Sequence, residues 1–278
     1  MFPFVAALTQ EGGIIIDKIT LTRERMETRV FIPITFIILF ILAALFSPWL
    51  GWITPELFTL KYQILFWLMI VVAIVWNIFY YKGAQAEKVH DFELIIMAQP
   101  LFTILLASIF LQNEQNWLVV LAAIVAAVTL ILSRIQKEHV AMTPALWGLV
   151  VVVVLMSVEL IITDYLLKVF SPVALYSIRC GFIALFFFVF YRPHFRLVSL
   201  HHYGLISMSA ALGVAQMVTK FYGFEKFGVI YTSLVLMLSP VIVYIISSIY
   251  LHEKVKVRQI ISGLIILTCI AFATIAGK

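Results

Sequence analysis

The feature that constrains this chain most is a series of long apolar runs cut by short polar connectors. Clear runs cover residues 30–46, 62–80, 94–111, 117–132, 146–167, 173–190, 203–218, 229–251 and 260–276. A helix needs about 20 mostly apolar residues to cross a bilayer. The runs are continuous and lack the alternation of barrel strands, so they predict membrane helices. The longest polar connectors, 47–61, 133–143 and 191–202, leave no room for a separate soluble domain.

Composition agrees. Of 278 residues, 64% are hydrophobic and 12% charged, against about 25% charged in a soluble domain. A soluble fold of this size has too little interior to hide so much apolar surface. A soluble enzyme, a nucleic-acid binder, a disulfide scaffold and a disordered chain are all excluded. The net charge of +5 does not point to nucleic acid, because the Lys and Arg residues are scattered between apolar runs as loop anchors. Cys180 and Cys269 lie in apolar runs without CxxC spacing and read as core thiols. A weaker apolar stretch, 2–19, carries Gln10, Glu11, Asp17 and Lys18. Glu11 interrupts it, so it is not read as a cleavable signal peptide.

An internal repeat raises that weak stretch to a tenth helix. At one constant offset Gly83 matches Gly223, Leu94 matches Leu234, Met97 matches Met237 and Pro100 matches Pro240. The same offset pairs Ser108 with Ser248, Ile109 with Ile249 and Leu111 with Leu251. The text reads QPLFTILLASIFLQNE in one copy and SPVIVYIISSIYLHE in the other. With small gaps Glu11 falls on Glu159, Arg29 on Arg179, and Phe46–Pro48 on Tyr191–Pro193. The fold class expected is therefore all-α integral membrane, with ten transmembrane helices in two five-helix repeats, 1–136 and 144–278. An odd number of helices per half inserts the halves in opposite orientation, a transporter signature with the site near midplane. Helices 1–4 and 6–9 are expected to line a cavity, with helices 5 and 10 as outer supports.

LQNE and LHEKVKVRQIISGLIIL resemble the signature between helices four and five of the EamA-type drug/metabolite transporter superfamily, an LGE followed by a glycine. The proline ahead of that acid and the arginines opening helices two and seven, Arg29 and Arg179, fit it too. The first copy departs in lacking the glycine before its acid, and helix one is short and acidic. The resemblance implies a ten-helix secondary transporter with both termini inside. ALTQEGGIIIDK and MSVELIITDYLLK are also similar to the first helix of small multidrug relatives, which carries an essential glutamate and then a lysine. That likeness sets Glu11 and Glu159 at the glutamate position.

Charged groups in mid-bilayer cost about 2.5–3.5 kcal/mol on insertion scales, so a chain that keeps them turns them inward. Glu159 lies about fourteen residues into its helix, near midplane. It reads either as a protonatable coupling or substrate-contact group, or as a structural partner of Arg179. Glu11 reads the same two ways. Arg29 and Arg179, two turns into their helices, suit an anionic substrate group or a headgroup anchor equally. Asp164 and Lys168 read as a structural i, i+4 pair, and Asp17–Lys18 likewise. Asn77, Gln85, Gln99, Gln216, Lys220, Tyr222 and Ser239 are further polar candidates. Gln99 and Ser239 precede the repeated prolines, and Pro100 and Pro240 are candidate hinges or packing kinks, since a proline frees the carbonyl one turn earlier. Trp76 and Tyr222 suit ligand stacking or packing.

No HExxH, GxSxG or Walker A text occurs, so no catalytic residue, metal or cofactor is expected. The histidines, His90, His139, His194, His201, His202 and His252, fall mainly in connectors. Odd connectors hold Arg23, Arg25, Lys82, Lys88, Arg134, Lys137, Arg192, Arg196, Lys254, Lys256 and Arg258, whereas even connectors and the tail hold Lys61, Lys226 and Lys278. The positive-inside rule thus puts both termini outside, opposite to the resemblance. Together these features predict a multi-pass transporter of the cell membrane that moves a small metabolite by alternating access, with a proton as candidate coupling ion. The expected partners are a small-molecule substrate and the lipid bilayer, no nucleic acid, and a monomeric or homodimeric state. The alternative is a membrane-embedded enzyme acting on a lipid-linked substrate.

Overall fold

The computed structural model describes residues 1–87, 92, 95–134, 143–193, 198–242 and 257–276. Among them the chain forms ten α-helices and no strand: α1 (Phe2–Lys18), α2 (Thr28–Leu50), α3 (Leu60–Ala86), α4 (Gln99–Phe110), α5 (Trp117–Arg134), α6 (Pro144–Leu166), α7 (Pro172–Tyr191), α8 (Leu200–Phe227), α9 (Val229–Leu236) and α10 (Val257–Ala276). Several expectations lie outside the described residues. These are Leu94, the second-copy positions Ser248, Ile249 and Leu251 with the LHEKVK text, and His90, His139, His194 and His252. Lys88, Lys137, Arg196, Lys254, Lys256 and Lys278 also do, as do the side chains of Arg134 and Arg258.

Helix starts follow local chemistry. Thr143, Ser171 and Ser199 cap α6, α7 and α8, their hydroxyls accepting from the amides of Leu146, Ala174 and His202. Pro144 and Pro172 follow two of these caps, where a missing N–H costs nothing. The stretch 2–19 is helical as α1 and leaves through a π-helical turn, Ile19–Arg23. By length and composition α2, α3, α6, α7 and α8 suffice to cross a membrane, and α4, α5, α9 and α10 are shorter apolar helices.

The runs 94–111 and 229–251 are not single bent helices. Each is interrupted by a two-residue turn, Met97–Ala98 and Met237–Leu238, after which helix resumes with Pro100 and Pro240 in its first turn. The break falls before the proline for a physical reason. Pro100 and Pro240 cannot donate to the carbonyls of Ile96 and Leu236, and their rings crowd them, so the regular ladder ends there.

The packing is reciprocal. α2 packs on α7 and α5 on α10; α1 packs on α8 as α3 does on α6; α1 meets α9 as α6 meets α4. Exchanging each helix with the one five places later reproduces these contacts. Gly83 of α3 and Gly223 of α8 sit at two of them. A Cβ on Gly83 would lie 2.5 Å from Leu149 of α6, and one on Gly223 would lie 2.8 Å from Thr232 of α9 and 3.2 Å from Pro3 of α1. The outer faces stay apolar: Leu45, Leu121, Leu132, Leu185 and Leu264 are all exposed. An exposed apolar surface this broad suits lipid, not water.

Candidate functional site

A cavity of about 190 Å³ lies among the helices. Periodicity explains its walls. Gln10, Glu11, Ile14 and Asp17 mark one face of α1; Trp76, Asn77, Tyr80 and Tyr81 mark one face of α3. Ser209, Gly213, Gln216 and Lys220 do so on α8. Thr35, Glu159, Arg179 and Leu236 bring in α2, α6, α7 and α9, and Gln99, Pro100 and Met97 bring in α4 and its preceding turn. α5 adds only Leu130, and among the described residues α10 adds nothing. Of the ten helices, then, the outer pair α5 and α10 hardly touches the cavity.

Glu159 and Arg179 are 4% and 3% exposed. Arg179 Nε donates to Glu159 Oε1 at 2.5 Å, and Trp76 Nε1 donates to Oε2 at 2.5 Å. The guanidinium also lies 5.8 Å from the Trp76 ring centroid. This assembly links α6, α7 and α3, with both carboxylate oxygens occupied. Of the two readings of Glu159, this geometry corresponds to the structural partner of Arg179. Trp76 packs against the pair and also lines the cavity.

Gln99, Gln216, Asn77 and Glu11 line the cavity beside Pro100 and Pro240. Gln99 Nε2 donates to Thr103 Oγ1 at 2.6 Å, and its carbonyl accepts from Ser157 of α6 at 3.2 Å. Ser239 is not a cavity residue. It is fully buried, and its hydroxyl donates to the Ala7 carbonyl of α1 at 2.5 Å. So the residue before each proline is tied to the first helix of the other half.

Two further expectations are corrected. Arg29 is exposed and outside the cavity. α2 starts at Thr28, so Arg29 sits in its first turn, whereas Arg179 lies two turns into α7. Tyr222 stacks on Phe2 with centroids 5.3 Å apart, outside the cavity lining, because it points to the α1 side of α8. Lys168 falls just past the end of α6, with its ammonium 5.2 Å from the Tyr165 ring and within electrostatic reach of Asp164 one turn earlier.

Asp17 is the cavity residue the sequence pattern hides. Its neighbour Lys18 donates to the Glu87 carbonyl at 3.2 Å and sits 4.7 Å over Phe92, whereas the Asp17 carboxylate accepts from the Ser209 hydroxyl of α8. Adjacent helical residues face different neighbours. The available signal is the spacing of Gln10, Gly13 and Asp17, which share one face.

The acid of LQNE has a separate structural task. Glu114 accepts from the amides of Val229 and Ile230 at 2.7 and 2.8 Å, capping the start of α9. Burial pushes its carboxyl above the usual range, against the pull of those two amides. The preceding Gly228 has φ +82°, and a Cβ there would lie 2.8 Å from that carboxylate. Only glycine fits both demands.

No curated protein matches the sequence. A solved crystal structure superposes with a TM-score of 0.70 over 97% of this chain and 96% of its own, at 14% identity, which is a likeness of fold. Residues 143–275, the second half of the chain, match the model of the EamA-like transporter family.

Proposed function

We propose that the protein is a secondary transporter that moves a small metabolite through the central cavity by alternating access. Its halves, 1–136 and 144–278, act as an inverted pair of five helices. What carries the reading is the reciprocity of the packing around one polar cavity. Each proline-broken helix meets the first helix of the opposite half, and each repeated glycine admits a close contact across the same boundary. Two equivalent halves that share a cavity can exchange conformations, opening it to one side and then the other. The breaks at Met97–Ala98 and Met237–Leu238, where the ladder is already interrupted, are the hinges of that exchange.

Coupling is to a proton. Glu159 is committed to Arg179 and Trp76, so the exchange falls to the other cavity acids, Glu11 and Asp17. The protein sits in the cell membrane, with lipid around its exposed apolar faces, as a monomer or homodimer. The family match favours transport over an enzyme acting on a lipid-linked substrate.

Proteoliposomes test this. Wild type is expected to take up at least one member of a panel of amino acids, nucleosides, amines and sugar phosphates, faster under an imposed pH gradient. Gln216→Trp, which fills the cavity, abolishes that uptake while remaining monodisperse. The gradient effect survives Glu159→Gln and is lost in Asp17→Asn or Glu11→Gln. Uptake unchanged by the tryptophan would place the route elsewhere.

A further inference from the structure

One acceptor in the cavity is left open. Asn77 is 1% exposed; its Nδ2 donates to the Ala73 carbonyl at 2.7 Å, and its Oδ1 has no hydrogen-bond partner among the described residues. Leaving a buried acceptor without a donor is costly, and Asn77 lines the cavity. An occupant of this cavity therefore gains by bringing an N–H or O–H.

The charges that line the same cavity say which. Glu159 has both oxygens taken, one by Arg179 and one by Trp76. Lys220, buried and 5.8 Å from the Phe224 ring, has Glu159 and Arg179 as the charges within its electrostatic reach. Those three groups together leave a positive end to the cavity. None of those three is among the groups that act on the Asp17 carboxylate. The Ser209 hydroxyl donates to it, it has no ion pair among the described residues, and Lys18 beside it is turned to the Glu87 carbonyl and Phe92. Glu11, on the same face of α1, adds a second acid. Tyr81 lies one turn along α3 from Asn77, a rise of about 6 Å, and within electrostatic reach of Asp17. The rings of Tyr80 and Phe92, 5.2 Å apart, wall the space between.

We propose that this end of the cavity recognises a protonated amine, which donates to Asn77 Oδ1 and sets its charge against Asp17. The proposal rests on the transport reading and names the chemistry of its solute. An alcohol supplies the hydrogen bond without the charge. A carboxylate supplies neither and meets Asp17 and Glu11 with like charge. The ring faces favour an amine on an aromatic or apolar body.

The test uses three probes that share one body: 2-phenylethylamine, 2-phenylethanol and 3-phenylpropionate. Binding to the purified protein is read by thermal shift. The amine is expected to bind at least tenfold more tightly than either other probe. Asn77→Leu and Asp17→Asn each weaken it tenfold or more, and Tyr222→Phe, outside the cavity, leaves it unchanged. Asn77→Leu loses only a bond within its own helix, so it keeps the test readable if Asp17→Asn folds poorly. The proposal is overturned if the alcohol or the acid binds as tightly as the amine, or if both variants bind the amine like wild type. Amine binding with no flux of any solute would keep this site and remove the transport reading. Flux of other solutes with no amine binding would do the reverse.

Discussion

Replacing Arg179 with glutamine leaves Glu159 as a buried carboxylate with Trp76 as its remaining donor. The reverse change, Glu159→Gln, leaves a buried guanidinium. Both groups are less than 5% exposed, so neither can recover its loss by hydration. Breaking a buried pair from one side costs about 3–5 kcal/mol. Removing both charges together is far less costly, because two neutral amides need no counterion. The double variant is therefore expected to lie at least about 2 kcal/mol above the sum of the single losses. Melting in detergent, followed by tryptophan fluorescence, reads this as single-variant drops on the order of 10 °C, largely recovered in the double variant. Additive losses would refute the argument, as would a Glu159→Gln protein that melts like wild type. Either result would mean that the pair is hydrated or that Glu159 is held by something else.

Other consequences follow from single contacts. Glu114→Ala removes two amide acceptors at the start of α9 and should cost about 1–2 kcal/mol, seen as a lower melting temperature. Gly83→Ala drives a methyl to 2.5 Å from Leu149 and should loosen α3 from α6, whereas Gly204→Ala meets nothing within 4 Å and should be neutral or stabilising in the same assay. Pro240→Ala restores a donor to the Leu236 carbonyl and should straighten the break at Met237–Leu238. Its flux per molecule should fall more than its folding yield; the opposite pattern would make the proline a packing feature.

The all-helical character was legible because the apolar runs are continuous and lack the alternation of strands, and five of the described helices are long and apolar enough to cross a membrane. Where helices break was legible only to within a few residues. Pro100 and Pro240 announce a lost hydrogen bond, but the turn forms at the crowded carbonyl side, at Met97–Ala98 and Met237–Leu238. Arg29 and Arg179 match in sequence yet differ in burial, since a helix start one turn earlier or later decides whether an arginine reaches the interior. Asp17 was hidden by its neighbour. A D–K dipeptide looks like a solvated pair until the helix turns the two side chains to different partners, Ser209 and the Glu87 carbonyl. Glu114 was legible as a motif and not as a cap, because its partner amides lie more than a hundred residues away, at Val229 and Ile230. Contacts between the halves leave no local trace in either one.

The measurement that tests the central claim most directly is cavity accessibility from each side of the membrane. A single cysteine at Gln216, in a background with Cys180 and Cys269 replaced by alanine, is exposed to an impermeant thiol reagent from one face of oriented vesicles and then from the other. Alternating access predicts modification from both faces, with the balance between them shifted by a transported solute. Modification from one face only, under every condition, would contradict it.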